Sequence, residues 1–143
     1  MEKEFNKDFV PYQPSLDMKE LGFDEPCLAN YNNGGILQPV MLIEKQNTNN
    51  HFASGGYFKE MCTAPLYQQA FRWFRDTYKL HHQVTQYYGE HFFYKIEDMV
   101  HPRRYEEYSI EKLRNFGQYS SQEEAELEGL KHLIRIVKEN ANA

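Results

Sequence analysis

The histidines are the side chains of this chain that could most readily do chemistry, and His82 and His91 fall in a segment that alternates like a β-hairpin with Glu97. A catalytic zinc ion takes three protein ligands, and imidazole and carboxylate groups are among those it accepts. No His-x-His or His-x-x-x-His spacing accompanies these residues. Cross-strand His–Glu pairs are also ordinary sheet contacts. We therefore expect no metal ligands, and an enzyme or metal site on this hairpin is the weakest functional hypothesis.

The two cysteines supply the remaining nucleophiles. Cys62 with His51 or His101 is the Cys/His combination that a hydrolase would need, but nothing around Cys62 marks an activated thiol. Neither cysteine has Cys-x-x-Cys spacing, so both are predicted to be reduced and structural. The glycine-rich segments 33–35 and 54–56 lack the P-loop and dinucleotide patterns. We expect no catalytic residues and no cofactor, and the sequence favours a protein that is not an enzyme.

A second candidate surface combines basic and aromatic side chains, which suit the backbone and bases of single-stranded nucleic acid. This patch comprises Arg103, Arg104, Tyr105, Lys112 and Arg114. Neighbouring glutamates at 106, 107 and 111 nearly cancel its charge, and the chain's net charge of -5 gives no general attraction to phosphate. Nucleic-acid binding is therefore an alternative rather than the first expectation.

Length and composition indicate a soluble globular protein. The 143 residues predict one domain over 1–143, and the 41% hydrophobic and 26% charged fractions are typical of a folded core with a polar surface. No run approaches the ~20 apolar residues of a membrane span. The first residues have no apolar signal-peptide core, which favours a cytoplasmic location and no membrane partner. Residues 1–12 are expected to be loosely ordered.

Hydrophobic periodicity predicts the order helix, hairpin, helix, hairpin, helix. This is an α+β fold in which a small antiparallel sheet from two hairpins packs with about three helices. The predicted helices cover residues 14–21, residues 65–79 with Thr63 as cap, and a last segment capped by Ser120 or Ser121. The predicted strands cover 27–31, 36–44, 81–88 and 91–98, with long loops at 45–63 and 99–118.

Three single residues carry sharper expectations. Gly22 is placed where a helix leaves through a left-handed residue, with Phe23 folding back. Pro39 should lie at a sheet edge, since it lacks a ladder donor. Gly129 interrupts the last helix, and we expect it to mark a close contact.

The second hairpin also carries the first candidate binding surface. If residues 89 and 90 form a two-residue turn, Tyr88 lies opposite His91, and His82 faces Glu97. Alternation then turns Thr85, Tyr87, Phe92, Tyr94 and Ile96 toward the helix. The opposite face, a candidate binding face, comprises His82, Gln86, Tyr88, His91, Phe93, Lys95 and Glu97.

Several segments together resemble a known group of proteins. They are the run Leu-Asp-Met-Lys-Glu-Leu-Gly-Phe-Asp-Glu-Pro-Cys at 16–27, the Ala64-Pro65 start of a Trp-containing helix, the Tyr-rich hairpin, and the helix at 119–130. From about residue 9 to 138 the chain resembles small uncharacterised proteins encoded by phages, prophages and other mobile elements of gut anaerobic bacteria. The resemblance implies a mobile-element context and an accessory or host-interaction role. A protein partner is therefore the first expectation, nucleic acid the second, and the sequence leaves the oligomeric state open.

Overall fold

The computed structural model describes residues 7–40, 47–49, 59–87, 91–100 and 119–141. These residues form the predicted α+β fold, with helices and strands in the predicted order. The elements are α1 (Tyr12–Glu20), β1 (Ala29–Tyr31), β2 (Leu37–Pro39), β3 (Cys62–Ala64), α2 (Tyr67–Tyr78), β4 (Leu80–Tyr87), β5 (His91–Asp98) and α3 (Gln122–Ala141). The chain divides into two compact units, Met1–Ala70 and Phe71–Ala143. The single domain expected from length stays a prediction.

The first unit begins with a buried segment rather than a loose one. Phe9 and Val10 are buried, and the Val10 N–H donates to the Pro65 carbonyl at 2.9 Å. Ser15 ties α1 to the same segment by donating to the Val10 carbonyl. The expectation of a loosely ordered 1–12 is therefore wrong for its last residues, because the apolar Phe9 and Val10 are recruited into the core. Residues 1–6 lie outside the described residues.

The end of α1 follows the predicted pattern. Gly22 has a φ of +100°, and the next residue, Phe23, donates its N–H back to the Met18 carbonyl at 3.0 Å. This is the closing bond of a Schellman motif, in which a left-handed glycine lets the chain reverse. Phe23 is 1% exposed, so the reversal delivers a large apolar side chain to the core.

A three-stranded antiparallel sheet with the order β2-β1-β3 completes the first unit. Ala29 pairs with Pro39 on one side and Ala64 on the other. Pro39 therefore lies in an edge strand, as predicted. The third strand, β3, was not predicted, since its three residues are too few to show alternation. Cys62 and Thr63 belong to it, so the loop expected over 45–63 ends before them.

Two buried asparagine side chains hydrogen-bond to the backbone around this short sheet. Asn47 donates to the carbonyls of Cys27 and Ala29 at 3.0 and 3.1 Å. Asn49 donates to the Phe23 carbonyl at 2.7 Å and accepts the Thr63 N–H at 2.9 Å. A buried peptide group without a partner costs free energy, and one asparagine can satisfy both a donor and an acceptor. Asn49 thus joins the α1 exit to β3.

The helix α2 starts two residues later than predicted. Thr63 is part of β3 rather than a helix cap, and Pro65 uses its carbonyl to accept a bond from the N-terminal segment. The buried side chains of this helix are Ala70, Phe71, Trp73 and Phe74.

The helix α3 packs on the hairpin of β4 and β5 in the second unit. Ser121 caps it by accepting the Glu124 N–H at 3.2 Å, and the Glu124 carboxylate accepts the N–H and hydroxyl of Ser120. Both serines therefore take part in the predicted cap. The buried stripe of α3 comprises Ala125, Gly129, Leu130, Leu133, Ile134, Ile136 and Val137.

Replacing Asn49 by alanine should destabilise the protein by about 2–4 kcal/mol, because the mutation leaves a buried carbonyl and a buried N–H without partners. The free energy of unfolding, measured by urea denaturation, gives this value. Gln38→Ala, at an exposed position of β2, is the matched control and should change stability by less than about 0.5 kcal/mol. Equal effects of the two variants would contradict a structural role for Asn49.

Candidate functional site

The pairing of Tyr87 with His91 sets which side chains share a face of the hairpin. It differs by one residue from the predicted pairing of Tyr88 with His91, since three residues rather than two separate the paired strands. A slip of one residue exchanges the faces of a strand. His82 therefore lies opposite Ile96 rather than Glu97, and His81 rather than His82 lies opposite Glu97.

The predicted candidate binding face is accordingly divided between two surfaces. His82 and Gln86 lie on the inner face, with Phe92, Tyr94 and Ile96. The rest of the predicted set stays on the opposite surface, here called the outer face. The outer face comprises His81, Gln83, Thr85, His91, Phe93, Lys95 and Glu97. Tyr88 is outside the described residues.

A stack of rings forms the inner face. The His82 imidazole is stacked on Phe71, with ring centroids 4.0 Å apart and planes 12° apart, and on Tyr94 at 5.8 Å and 19°. Tyr94 in turn shares a hydrogen bond of 3.1 Å between its hydroxyl and His132 Nδ1. The inner face therefore joins β4, β5, α2 and α3 through one histidine and its aromatic neighbours.

Burial disfavours the charged form of His82. Its Nε2 atom is buried and has no hydrogen-bond partner among the described residues. Burial, together with the nearby His81 and His132, lowers the pKa of His82 to about 3. Burial also lowers the pKa of His132. At neutral pH the His82 imidazole is therefore uncharged and packs as part of the core. A side chain with so low a pKa is poorly suited to accept protons at neutral pH.

Gly129 allows α3 to approach this imidazole. A Cβ atom built at Gly129 would overlap His82 Nε2 and would lie 2.6 Å from Cδ2. Any larger residue at this position must displace the ring or the helix. The close contact that the sequence predicted at Gly129 is thus confirmed, and its partner is His82.

The outer face combines an aromatic ring with charged and polar groups. Phe93, Lys95 and Glu97 are partly exposed, and His91 is exposed. Lys95 Nζ lies 3.2 Å from Glu97 Oε1, so the two charges are paired along β5. The outer face therefore presents a partly exposed aromatic ring beside a charge pair.

The two thiols of the first unit are buried and form no disulfide bond. Cys27 and Cys62 are free, and burial raises the pKa of each to about 12. The Cys27 thiol points toward the Glu25 carbonyl at 3.4 Å and Gln69 Oε1 at 3.7 Å. A nucleophilic cysteine needs a lowered pKa, so these thiols are structural, as predicted. The histidines suggested as partners of Cys62 lie outside the described residues.

A cavity of about 510 Å³ opens beside α1 in the first unit. Leu16, Phe23 and Asn49 contribute to its wall, and Lys19 and Lys59 to its charged part. Lys19 Nζ donates to the Met61 carbonyl at 2.6 Å, and burial lowers the pKa of this lysine. The Lys19 cation is therefore held by backbone oxygen.

The other predicted sites have different outcomes. The basic patch of Arg103, Arg104, Tyr105, Lys112 and Arg114 lies outside the described residues and stays a prediction. Within the described ranges, no three His, Cys, Asp or Glu side chains come together as metal ligands. Over the same ranges, no helix has the length and apolar character needed to span a membrane.

Comparison of the chain with protein-family models, with curated proteins and with solved structures gave no match. The mobile-element context implied by the sequence resemblance therefore stays a prediction. The features that sequence reasoning missed are the ring stack at His82 and the buried carboxamides. The glycine at position 129 was the sequence signal for the ring stack. The buried carboxamides could not be recognised, because they lie in a polar run at 47–50 that is typical of a surface loop.

Gly129→Ala should destabilise the protein by about 1–3 kcal/mol, because the added methyl group overpacks the contact with His82. In a His82→Ala background the same change should instead stabilise it by up to about 1 kcal/mol, since alanine is a better helix former than glycine. Urea denaturation of the four proteins measures this cycle. A glycine substitution that costs the same in both backgrounds would show that the imidazole is not the obstacle.

The free energy of unfolding should fall as pH falls from 6.5 toward 3. The unfolded chain binds a proton at His82 near pH 6.5, while the folded protein binds it near pH 3, so acid favours unfolding by up to about 1.4 kcal/mol per pH unit. Denaturation across this range should show a shallower slope for His82→Gln than for the wild type. Gln83→Ala, at an exposed position of the same strand that does not titrate, should keep the wild-type slope. Identical slopes for the wild type and His82→Gln would refute the assignment.

Proposed function

We propose that the protein is a non-enzymatic accessory protein of a phage or mobile element, and that it docks a protein partner through the outer face of the β4–β5 hairpin. The observation that carries the proposal is the division of the hairpin into two faces. Alternation sends the ring stack inward against α3 and leaves Phe93, Lys95 and Glu97 together on the opposite surface.

The chemistry of the buried groups supports a binding role over catalysis. The thiols, with pKa values of about 12, are poor nucleophiles at neutral pH. His82, with a pKa of about 3, is packed between two rings. The two thiols and the His82 imidazole are therefore parts of the packed core. The accessible mixture of aromatic and charged side chains lies elsewhere, on the outer face.

The outer face favours a partner of particular chemistry. Aromatic residues are enriched at the centres of protein interfaces, where they contribute most of the binding free energy. Phe93 lies opposite Thr85 on β4, and the Lys95–Glu97 pair follows it on β5. A matching surface would present an apolar side chain to Phe93 and polar groups to the ion pair. The sequence resemblance to mobile-element proteins supports a host or phage protein as this partner.

Phe93→Ala should weaken partner binding by at least about tenfold, because truncating a central aromatic anchor removes a large share of the binding free energy. The partner is first identified by affinity purification of the tagged chain from its native host, and the affinity is then measured with purified components. Unfolding curves verify that Phe93→Ala remains folded at the measuring temperature.

Gln122→Ala is the matched control, since Gln122 is exposed at the start of α3 and away from the outer face. It should leave the affinity unchanged. Equal affinity of the Phe93 variant and the wild type would contradict docking through this face. Recovery of nucleic acid, with binding that weakens steeply as salt increases, would instead favour the nucleic-acid hypothesis.

A further inference from the structure

The connection between β1 and β2 contains the sole Asn-Gly pair of the sequence, Asn33 and Gly34. The pair lies in a tight turn, in which the Gly35 N–H donates to the Asn32 carbonyl at 2.9 Å and Gly35 has a φ of +73°. The Asn32 N–H donates to the Ile36 carbonyl at 3.1 Å and so closes the loop. A left-handed glycine at the end of a short hairpin loop is a favoured arrangement. The Asn-Gly pair is therefore part of a defined turn.

The Asn32 side chain holds this turn in place. Its Oδ1 atom accepts the N–H of Gly34 at 2.8 Å and the N–H of Ile36 at 3.1 Å. Asparagine side chains commonly fold back on the backbone of a turn in this way. The helix α1 also supports the turn, since a Cβ atom built at Gly35 would lie 3.1 Å from the Tyr12 ring. The Gly34 amide is thus bonded within a turn that packs on α1.

An Asn-Gly pair can undergo a covalent change that needs no enzyme. The glycine backbone nitrogen loses its proton and attacks the side-chain Cγ of the asparagine, which forms a cyclic imide and releases ammonia. Water then adds to one of the two imide carbonyls, and ring opening yields aspartate or isoaspartate. The sum is a carboxamide and water converted to a carboxylic acid and ammonia. Glycine permits the attack because it has no Cβ atom and its backbone adopts many conformations.

The native turn opposes this attack. The Gly34 nitrogen must lose its proton and approach Cγ of Asn33, but its N–H is donated to Asn32 Oδ1. The Asn33 Oδ1 atom is buried and has no hydrogen-bond partner among the described residues. Turning the Asn33 side chain toward Gly34 therefore breaks no bond of this oxygen. The bonds accepted by Asn32 are the ones that must open, and Gly34 is exposed, so water reaches the opened turn.

We propose that Asn33 is a site of spontaneous deamidation, and that the two hydrogen bonds accepted by Asn32 limit its rate. The reaction proceeds from a locally open turn, so its rate follows the fraction of molecules in which these bonds are broken. The turn lies in the first unit, so the proposal is independent of docking through the outer face.

The product also disfavours the closed turn. Deamidation adds a negative charge, and a carboxylate oxygen at the buried position of Asn33 Oδ1 would have no hydrogen-bond partner among the described residues. A buried charge without a partner is strongly unfavourable. Deamidation therefore converts the closed turn into an open one, and the change does not reverse by itself.

Incubation of the purified protein at neutral pH and physiological temperature tests the proposal, with peptide mapping by mass spectrometry to measure conversion of Asn33 to aspartate and isoaspartate. The folded wild type should convert, and should do so more slowly than the same chain unfolded in guanidinium. Asn32→Ala should raise the rate of the folded protein at least about fivefold, because the bonds that close the turn are lost. Hydrogen exchange at the Gly34 amide should accelerate by a similar factor.

Asn32→Asp is the matched control, since it keeps an acceptor oxygen at the same position, and its rate should stay within about threefold of the wild type. Gly34→Ala should slow the conversion at least about tenfold, because a Cβ atom restricts the backbone of the attacking residue. Unfolding curves verify that each variant is folded. If Asn32→Ala does not fold, the wild type at low guanidinium concentrations decides the test, where Gly34 exchange and deamidation should accelerate together.

Three results would overturn the proposal. The first is an Asn33 that stays intact in the folded wild type. The second is equal rates for the folded and the unfolded wild type, which would show that the turn gives no protection. The third is faster Gly34 exchange without faster deamidation, in Asn32→Ala or at low guanidinium concentrations, because opening of these bonds would then not limit the reaction.

Discussion

The strict alternation of side chains along β4 and β5 is the constraint on which the second unit depends. Once Tyr87 pairs with His91, His82 must face α3 and Phe93 must face away from it. The same register determines which amides bond within the hairpin and which reach its outer edge. Core packing and the outer face are therefore two consequences of one pairing, and a shift by one residue would alter both together.

The first unit depends on a different interaction, the satisfaction of buried peptide groups by side chains. Its strands have three residues each, which leaves few ladder bonds to hold the sheet. Asn47 and Asn49 add bonds from their side chains to the backbone carbonyls of Cys27 and Phe23. Such polar contacts are directional, so they specify one arrangement of the α1 exit, β1 and β3 more strictly than apolar packing alone would.

Local patterns in the sequence predicted much of the fold but not the register. The exit at Gly22, the edge position of Pro39 and the cap of α3 rest on backbone chemistry within a few residues. Alternation also identified the second hairpin. The face of the hairpin on which His82 and Gln86 lie, however, depends on the number of residues that connect β4 to β5. The predicted two-residue turn was wrong, because three residues separate the paired strands. The short β3 depends on pairing with a distant strand, which no local pattern records.

The distribution of two rare residue types gives each unit its own intrinsic probe. Both cysteines lie in the first unit, where burial protects them from alkylation until that unit opens. The protein's single tryptophan, Trp73, lies in the second unit, buried against Phe74 and Tyr78. The rate of thiol labelling therefore follows opening of the first unit, while indole fluorescence follows the second. Without any substitution, the natural sequence can therefore reveal whether its two units unfold together or in sequence.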